Sequence, residues 1–181
     1  MEPNAILREE HEAIEHLLAA VEGMGTRLRR EPLPKADLDA AMAAITEFAD
    51  QCHHAKEEKV LFPALAQASP KVGAELARRL TSDHRAFRKL VGDTRALLPR
   101  TDTASRQQLS KNLLTYARLL REHIRIEEEQ LLPEVERSLD AGARERIAME
   151  FDRVEEAEVG PGVHERHHEA IHRLAHTYGH G

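Results

Sequence analysis

The chain has no tryptophan, two tyrosines, four phenylalanines and one cysteine among its 181 residues. Aromatics at 3% leave little of the material that favours strands, which makes a sheet-based core a poor expectation. With Cys52 alone, no disulfide can form within the chain, so the fold must stand on its packing. No apolar run approaches the roughly 20 residues of a membrane-spanning helix. The first residues, Met-Glu-Pro-Asn-Ala-Ile-Leu-Arg-Glu-Glu, hold neither the basic nor the apolar region of a secretory signal. The expectation is a soluble cytoplasmic protein. No basic block offsets the formal net charge of −6, which argues against nucleic-acid and anionic-membrane partners and favours a small ligand. A Ser or Cys triad, a phosphate loop and a dinucleotide fingerprint are also missing.

What is present is helical material. Apolar residues make up 41% and charged residues 32%, with Ala, Leu, Glu and Arg prominent. Residues 4–30 place Leu7, Ile14, Leu18, Val21 and Leu28 on one stripe at the 3/4 spacing of a core-facing helix, ending before Pro32 and Pro34. A second helix from about 36 carries Leu38, Met42, Ile45, Ala49, Val60 and Ala64. It stops at Ala68-Ser69-Pro70, where Ser69 is a good N-cap for a third helix to about 98. That helix carries Leu76, Leu80, Phe87 and Val91, and Pro99 with Thr101-Asp102-Thr103 breaks the chain before a fourth, from about 104 to 137. Four long amphipathic helices with short turns specify an all-α, up-down-up-down antiparallel four-helix bundle over 1–138. Residues 139–181 read as an extension of one or two further helices, interrupted at Gly160-Pro161-Gly162 and rich in histidine.

The surplus is histidine, twelve in all. His11, His53, His84 and His123 each fall on the apolar stripe of a different helix, where a polar group is costly unless it is paired or shares a ligand. Residues on antiparallel neighbours lie level when the turn is midway between them. The midpoint of 11 and 53 is Pro32; that of 53 and 84 falls at Ala68-Ser69, and that of 84 and 123 beside Thr103. All three are turns, so the four histidines share one layer. Glu57 and Glu127 follow His53 and His123 at i+4, one turn along the same face. Proline stands ten residues after the histidine in both segments, at Pro63 and Pro133. Imidazoles with carboxylates able to bridge suit a pair of first-row transition ions, iron before zinc, whose structural sites are closed tetrahedra and commonly use cysteine.

The pattern of a lone histidine on helices 1 and 3 and His-x-x-x-Glu on helices 2 and 4, with His-His-Ala-Lys-Glu-Glu-Lys-Val-Leu-Phe-Pro at 53–63, resembles the hemerythrin-like, or HHE cation-binding, family over roughly residues 5–135. The resemblance implies an oxo- or hydroxo-bridged di-iron centre. In it His11 and His53 serve one ion, His84 and His123 the other, and Glu57 and Glu127 bridge them. It also implies a protein that binds or senses O2, nitric oxide or iron, or alternatively a di-iron oxidoreductase acting on peroxide or nitric oxide or in iron–sulfur repair. The oxygen-carrying members have a second histidine four residues after the one on helix 3, where this chain has Arg88, and an aspartate on the last helix where it has Glu127 and Glu128.

Rival readings stand beside these. A buried His–Glu network without metal accounts for the same spacing, and His54 with Glu58 is a second register, although Glu47 and Asp50 give its helix face a solvated character. Glu128 competes with Glu127. His16 lies off the stripe, as a surface or outer residue, and Cys52 reads as a small core filler. His164, His168, His172 and His176 form an i+4 ridge that serves either as a further metal site or as a face docked on the bundle.

Overall fold

The computed structural model describes residues 2–160 and 163–179, the side chains of 163–165 excepted. Among these the regular structure is helical: α1 (Pro3–Leu28), α2 (35–68), α3 (Val72–Arg95), α4 (103–138), α5 (Ala141–Glu158) and α6 (Val163–Tyr178). The boundaries follow from local chemistry. Pro3 begins α1, where its missing N–H costs nothing. Ser69 Oγ accepts from the Gly73 amide at 3.1 Å and caps α3. Asp102 and Asp140 accept the Ser105 and Ala143 amides at the starts of α4 and α5. The helices α1 to α4 form the antiparallel bundle, and α5 and α6 lie across its α1–α2 side.

Two helices are not α-helical throughout. In α2 the stretches Ala44–His54 and Glu57–Leu61 are π-helical, as is Glu127–Leu131 in α4. The Phe62 amide bonds to the Glu57 carbonyl and the Leu132 amide to the Glu127 carbonyl, five residues back. Pro63 and Pro133 follow these stretches by two residues. A proline inside a helix has no N–H and its ring collides with the carbonyl four residues earlier, so a widened turn beneath it relieves the clash. The repeated proline thus marks where each helix widens, at Glu57 and Glu127.

The apolar core has two parts. One holds Ile14, Leu18, Val21, Ala49, Phe87 and Leu120; the other holds Leu7, Leu61, Leu80, Ile126 and Leu131. His11, His53, His84 and His123 come between these two sets along α1, α2, α3 and α4, so a polar layer divides the core. Residues of the extension enter both parts, Ile171, Leu174 and Tyr178 the first and Ile147 and Phe151 the second.

The end of α6 is pressed onto α1 at Gly23, where a Cβ would stand 1.8 Å from the carbonyl oxygen of Tyr178. Backbone cannot yield there as a flexible side chain can. Gly23→Ala should therefore lift the end of α6, break the 2.6 Å hydrogen bond from Tyr178 to Asp37, and cost about 1–3 kcal/mol, as overpacking does. Limited proteolysis should then cut the extension first. An unchanged cleavage rate and melting point would contradict this contact.

Candidate metal centre

All six residues singled out by spacing, His11, His53, Glu57, His84, His123 and Glu127, are buried in the layer between the two apolar sets. A seventh joins them. The 3.6-residue reading turned His54 toward solvent, but the structure buries His53 and His54 equally, each 1% exposed. The cause is the π-helical stretch ending at His54, whose wider turn carries two successive side chains into the same interior. The His54 ring stacks on His84 with centroids 3.9 Å apart.

Each of the five imidazoles has a carboxylate at Nδ1. His11 donates to Glu128 (2.6 Å), His53 to Glu10 (2.8 Å), His84 to Glu58 (2.7 Å), and His54 and His123 to Asp50 and Asp83 (both 3.3 Å). An ionised carboxylate only accepts, so the proton is fixed on Nδ1 and the lone pair of each neutral ring on Nε2. Glu58 and Glu128, rivals as ligands on sequence grounds, therefore stand behind histidines and not among the inward-facing groups.

The Nε2 atoms face Glu57 and Glu127, both fully buried. Glu127 Oε2 lies 3.2 Å from His11 Nε2 and its Oε1 2.7 Å from His123 Nε2, so one carboxylate spans the two sides of the layer. Glu57 Oε2 lies 3.3 Å from His84 Nε2. These contacts lack hydrogen-bond geometry. Nε2 of His11, His53 and His54 and both oxygens of Glu57 and Glu127 are buried without a hydrogen-bond partner, and each such atom costs roughly 1–3 kcal/mol. The Nε2 atoms of His84 and His123 are 3.0 Å apart, where two lone pairs repel unless a proton or a cation lies between them. The donor atoms gather into cation-sized clusters: His11, His53 and Glu127 on one side, and His54, His84 and His123, or Glu57, His84, His123 and Glu127, on the other. Seven nitrogen and oxygen donors with carboxylate-backed imidazoles fit transition-ion ligands, and their number exceeds one tetrahedral ion.

Without an ion the layer holds protons instead. Burial opposes the charged form of His11, but the close Glu127 carboxylate, the hydrogen bond the ring donates to Glu128 and the charge of Glu57 outweigh it, pushing the ring up to about 10. His123 is likewise held up to about 10 against its burial, by the charge of Glu127 2.7 Å from its Nε2 and by its hydrogen bond to Asp83. Burial in turn opposes ionisation of Glu127, but the charges of His123 and His11 against its two oxygens hold it well below the usual carboxylate range. His54 is pushed the other way, well below its ordinary value, by burial and the neighbouring imidazoles.

His11 and His123 titrate near 6.5 when unfolded, so the stability they add is complete below about pH 6.5 and lost as pH rises through about 10; His84, held up against its burial by Glu57 and Glu58, acts in the same direction. The melting point of the metal-free chain should fall between about pH 7 and pH 10; a flat profile would count against the raised values.

Beside the layer, the ammonium of Lys56 is buried between Glu10 and Glu155, and it also donates to Cys52 Sγ at 3.4 Å. The lysine already supplies the cation for these acidic groups. Cys52 is pushed up to about 12 by burial and by the charge of Glu10, which leaves an unreactive thiol. A cavity of about 240 Å³ opens against His54, with Ile45, Asp50, Phe87, Arg88 and Tyr116 among its walls. In the tail, His167 bonds to Glu47 at 2.9 Å and His172 lies 5.8 Å from the exposed His16, ring to ring; the His164 side chain lies outside the described residues.

Four antiparallel helices enclosing imidazoles and carboxylates with unfilled donor atoms define a cation-binding helical bundle. The chain belongs to the hemerythrin family: the hemerythrin HHE cation binding domain matches residues 2–135. Comparison with curated proteins and with solved structures gave no match. Among the described residues, no helix is long and apolar enough to cross a membrane.

Proposed function

We propose that the chain is a cytoplasmic non-haem di-iron protein that binds or senses a small ligand, O2, nitric oxide or peroxide. His11 and His53 would hold one ion and His54, His84 and His123 the other, with Glu127 reaching both sides and Glu57 standing beside His84 and His123. The observation that carries the reading is the common orientation of five imidazoles, each with Nδ1 tied to a carboxylate, and with the Nε2 atoms of His11, His84 and His123 within 3.3 Å of the buried Glu57 or Glu127. Carboxylate-backed imidazoles are oriented and made more basic as metal ligands. Nitrogen and oxygen donors without thiolate suit iron in both its common oxidation states. When bound, two iron ions supply reversible redox chemistry and an exchangeable coordination position.

The chain's own residues orient the site and exclude bulk water. The apolar sets above and below the layer leave Glu57 and Glu127 fully buried. The 240 Å³ cavity beside His54 is smaller than the roughly 300–1,000 Å³ of pockets for drug-sized molecules, which favours a small ligand over a drug-sized one.

The test is to load the chain with ferrous iron without air, then add O2, nitric oxide and peroxide separately while following the charge-transfer absorption. A reversible adduct at two iron ions per chain is expected. Turnover of peroxide or nitric oxide would favour an oxidoreductase instead, and failure to take up two ions would refute both.

A further inference from the structure

Arg88 stands four residues after His84, on the outside of the layer, and its guanidinium faces two carboxylates of α2. Nε donates to Asp50 at 2.8 and 3.1 Å, and Nη1 donates to Glu58 at 2.9 and 3.3 Å. Asp50 is the carboxylate behind His54, and Glu58 is the one behind His84. A single side chain on α3 thus grips, through two carboxylates, two of the three imidazoles of the His54–His84–His123 cluster. A planar guanidinium holds its donors in fixed directions, so it orients the two carboxylates it pairs with, whereas an ammonium pairs as a point charge.

The His11–His53 side is built differently. Glu128, behind His11, is held by Arg8 at 3.2 Å, and Glu10, behind His53, by the buried Lys56. Two independent cations from two helices do there what Arg88 does alone on the other side.

We propose that Arg88 is a positioning residue that governs the occupancy of one metal position. Through Asp50 and Glu58 it keeps His54 and His84 in ligating orientation, so its removal releases the ion of the His54–His84–His123 cluster while the His11–His53 ion stays. This rests on the two-ion reading above. Glu58 supports it by geometry: the same carboxylate oxygen accepts from His84 Nδ1 at 2.7 Å and from Arg88 Nη1 at 2.9 Å, so it cannot turn away from the ring without leaving the guanidinium.

The experiment uses the full chain freed of metal and titrated anaerobically with cobalt(II), read by its visible absorption and by calorimetry. Two ions are expected for the unaltered chain. Arg88→Gln should weaken one of them about 10–100-fold, the range for loss of a group that orients a ligand, and leave the other unchanged. Arg88→Lys should recover part of the loss. Arg8→Gln should weaken the other ion instead. Nitrogen-15 NMR of the metal-free protein gives a readout without metal: the Nδ1 protons of His54 and His84 should broaden in Arg88→Gln, while those of His11 and His53 persist. Equal weakening of both ions, or unchanged affinities with unchanged Nδ1 protons, would overturn the proposal. If the unaltered chain takes up no paired ions, the two-ion reading fails, and the Nδ1 protons still decide whether Arg88 orients the two rings.

Discussion

Glu127→Ala is expected to abolish paired metal uptake, leaving at most one weakly held ion per chain after dialysis. Its two oxygens face imidazoles on opposite sides of the layer, His11 at 3.2 Å and His123 at 2.7 Å, and it belongs to donor clusters on both sides. No other carboxylate in those clusters does so, since Glu57 groups with His84, His123 and Glu127 alone. The loss should exceed about 100-fold in affinity, beyond the 10–100-fold typical of an outer partner. Removing the carboxylate also removes what keeps His11 and His123 charged in the metal-free chain, so burial should then push both rings downward. Elemental analysis and calorimetric titration test the first effect. Glu129→Ala, at an exposed position paired with Arg125, is the control and should keep both ions. Full uptake by the Glu127→Ala chain would remove the bridging role.

Lys56→Met should be the most destabilising single change outside the centre. The side chain is 1% exposed, and its partner Glu10 is nearly as buried while also accepting from His53. Deleting one member of a buried pair strands the other charge and costs about 3–5 kcal/mol. For a chain of this size that is a fall of roughly 6–20 °C in melting point, at 2–4 °C per kcal/mol. Adding Glu10→Gln to Lys56→Met should recover much of the loss, because the stranded charge is gone and an amide oxygen still accepts from His53. Thermal and denaturant unfolding of the metal-free single and double variants decides it. A double variant less stable than Lys56→Met alone would mean that packing, and not the charge, sets the cost.

The bundle was legible because its signals are local and repeated. Apolar stripes at 3/4 spacing, prolines in the turns and the capping residues Ser69 and Asp102 placed α1 to α4 to within a few residues. The level placement of the four histidines followed from turn positions alone. His54 was not legible, because a strict 3.6-residue period makes adjacent residues point about 100° apart and so forces a choice between His53 and His54. Pro63 and Pro133 read as marks of a repeat when they are also the physical cause of the widened turns at Glu57 and Glu127, but not of the one that brings His54 inward. The stretch Ala44–His54 has no such proline behind it, and nothing in its residues announced the wider winding. The outer carboxylates were hidden for another reason. Glu10, Asp83 and Asp50 meet their histidines across helices or on a face that looked solvated, and such meetings depend on side-chain reach. The aspect of the site most altered by the structure is the meaning of Arg88. The fifth imidazole does not come from its position on α3 but from His54 on α2.

The wide winding of Ala44–His54 also makes α2 intolerant of a change in length. A π turn is an α-helix carrying one surplus residue, so loss of a single codon between Ala44 and Cys52 would let the helix tighten without breaking its hydrogen-bonded backbone. The remaining residues would still form a helix and still bury an apolar face, but only one of the two adjacent histidines would reach the interior. Such a shortened chain should fold and yet keep four of the five imidazoles, two on each side or one and three, which makes the surplus residue, and not any particular side chain, what completes the set.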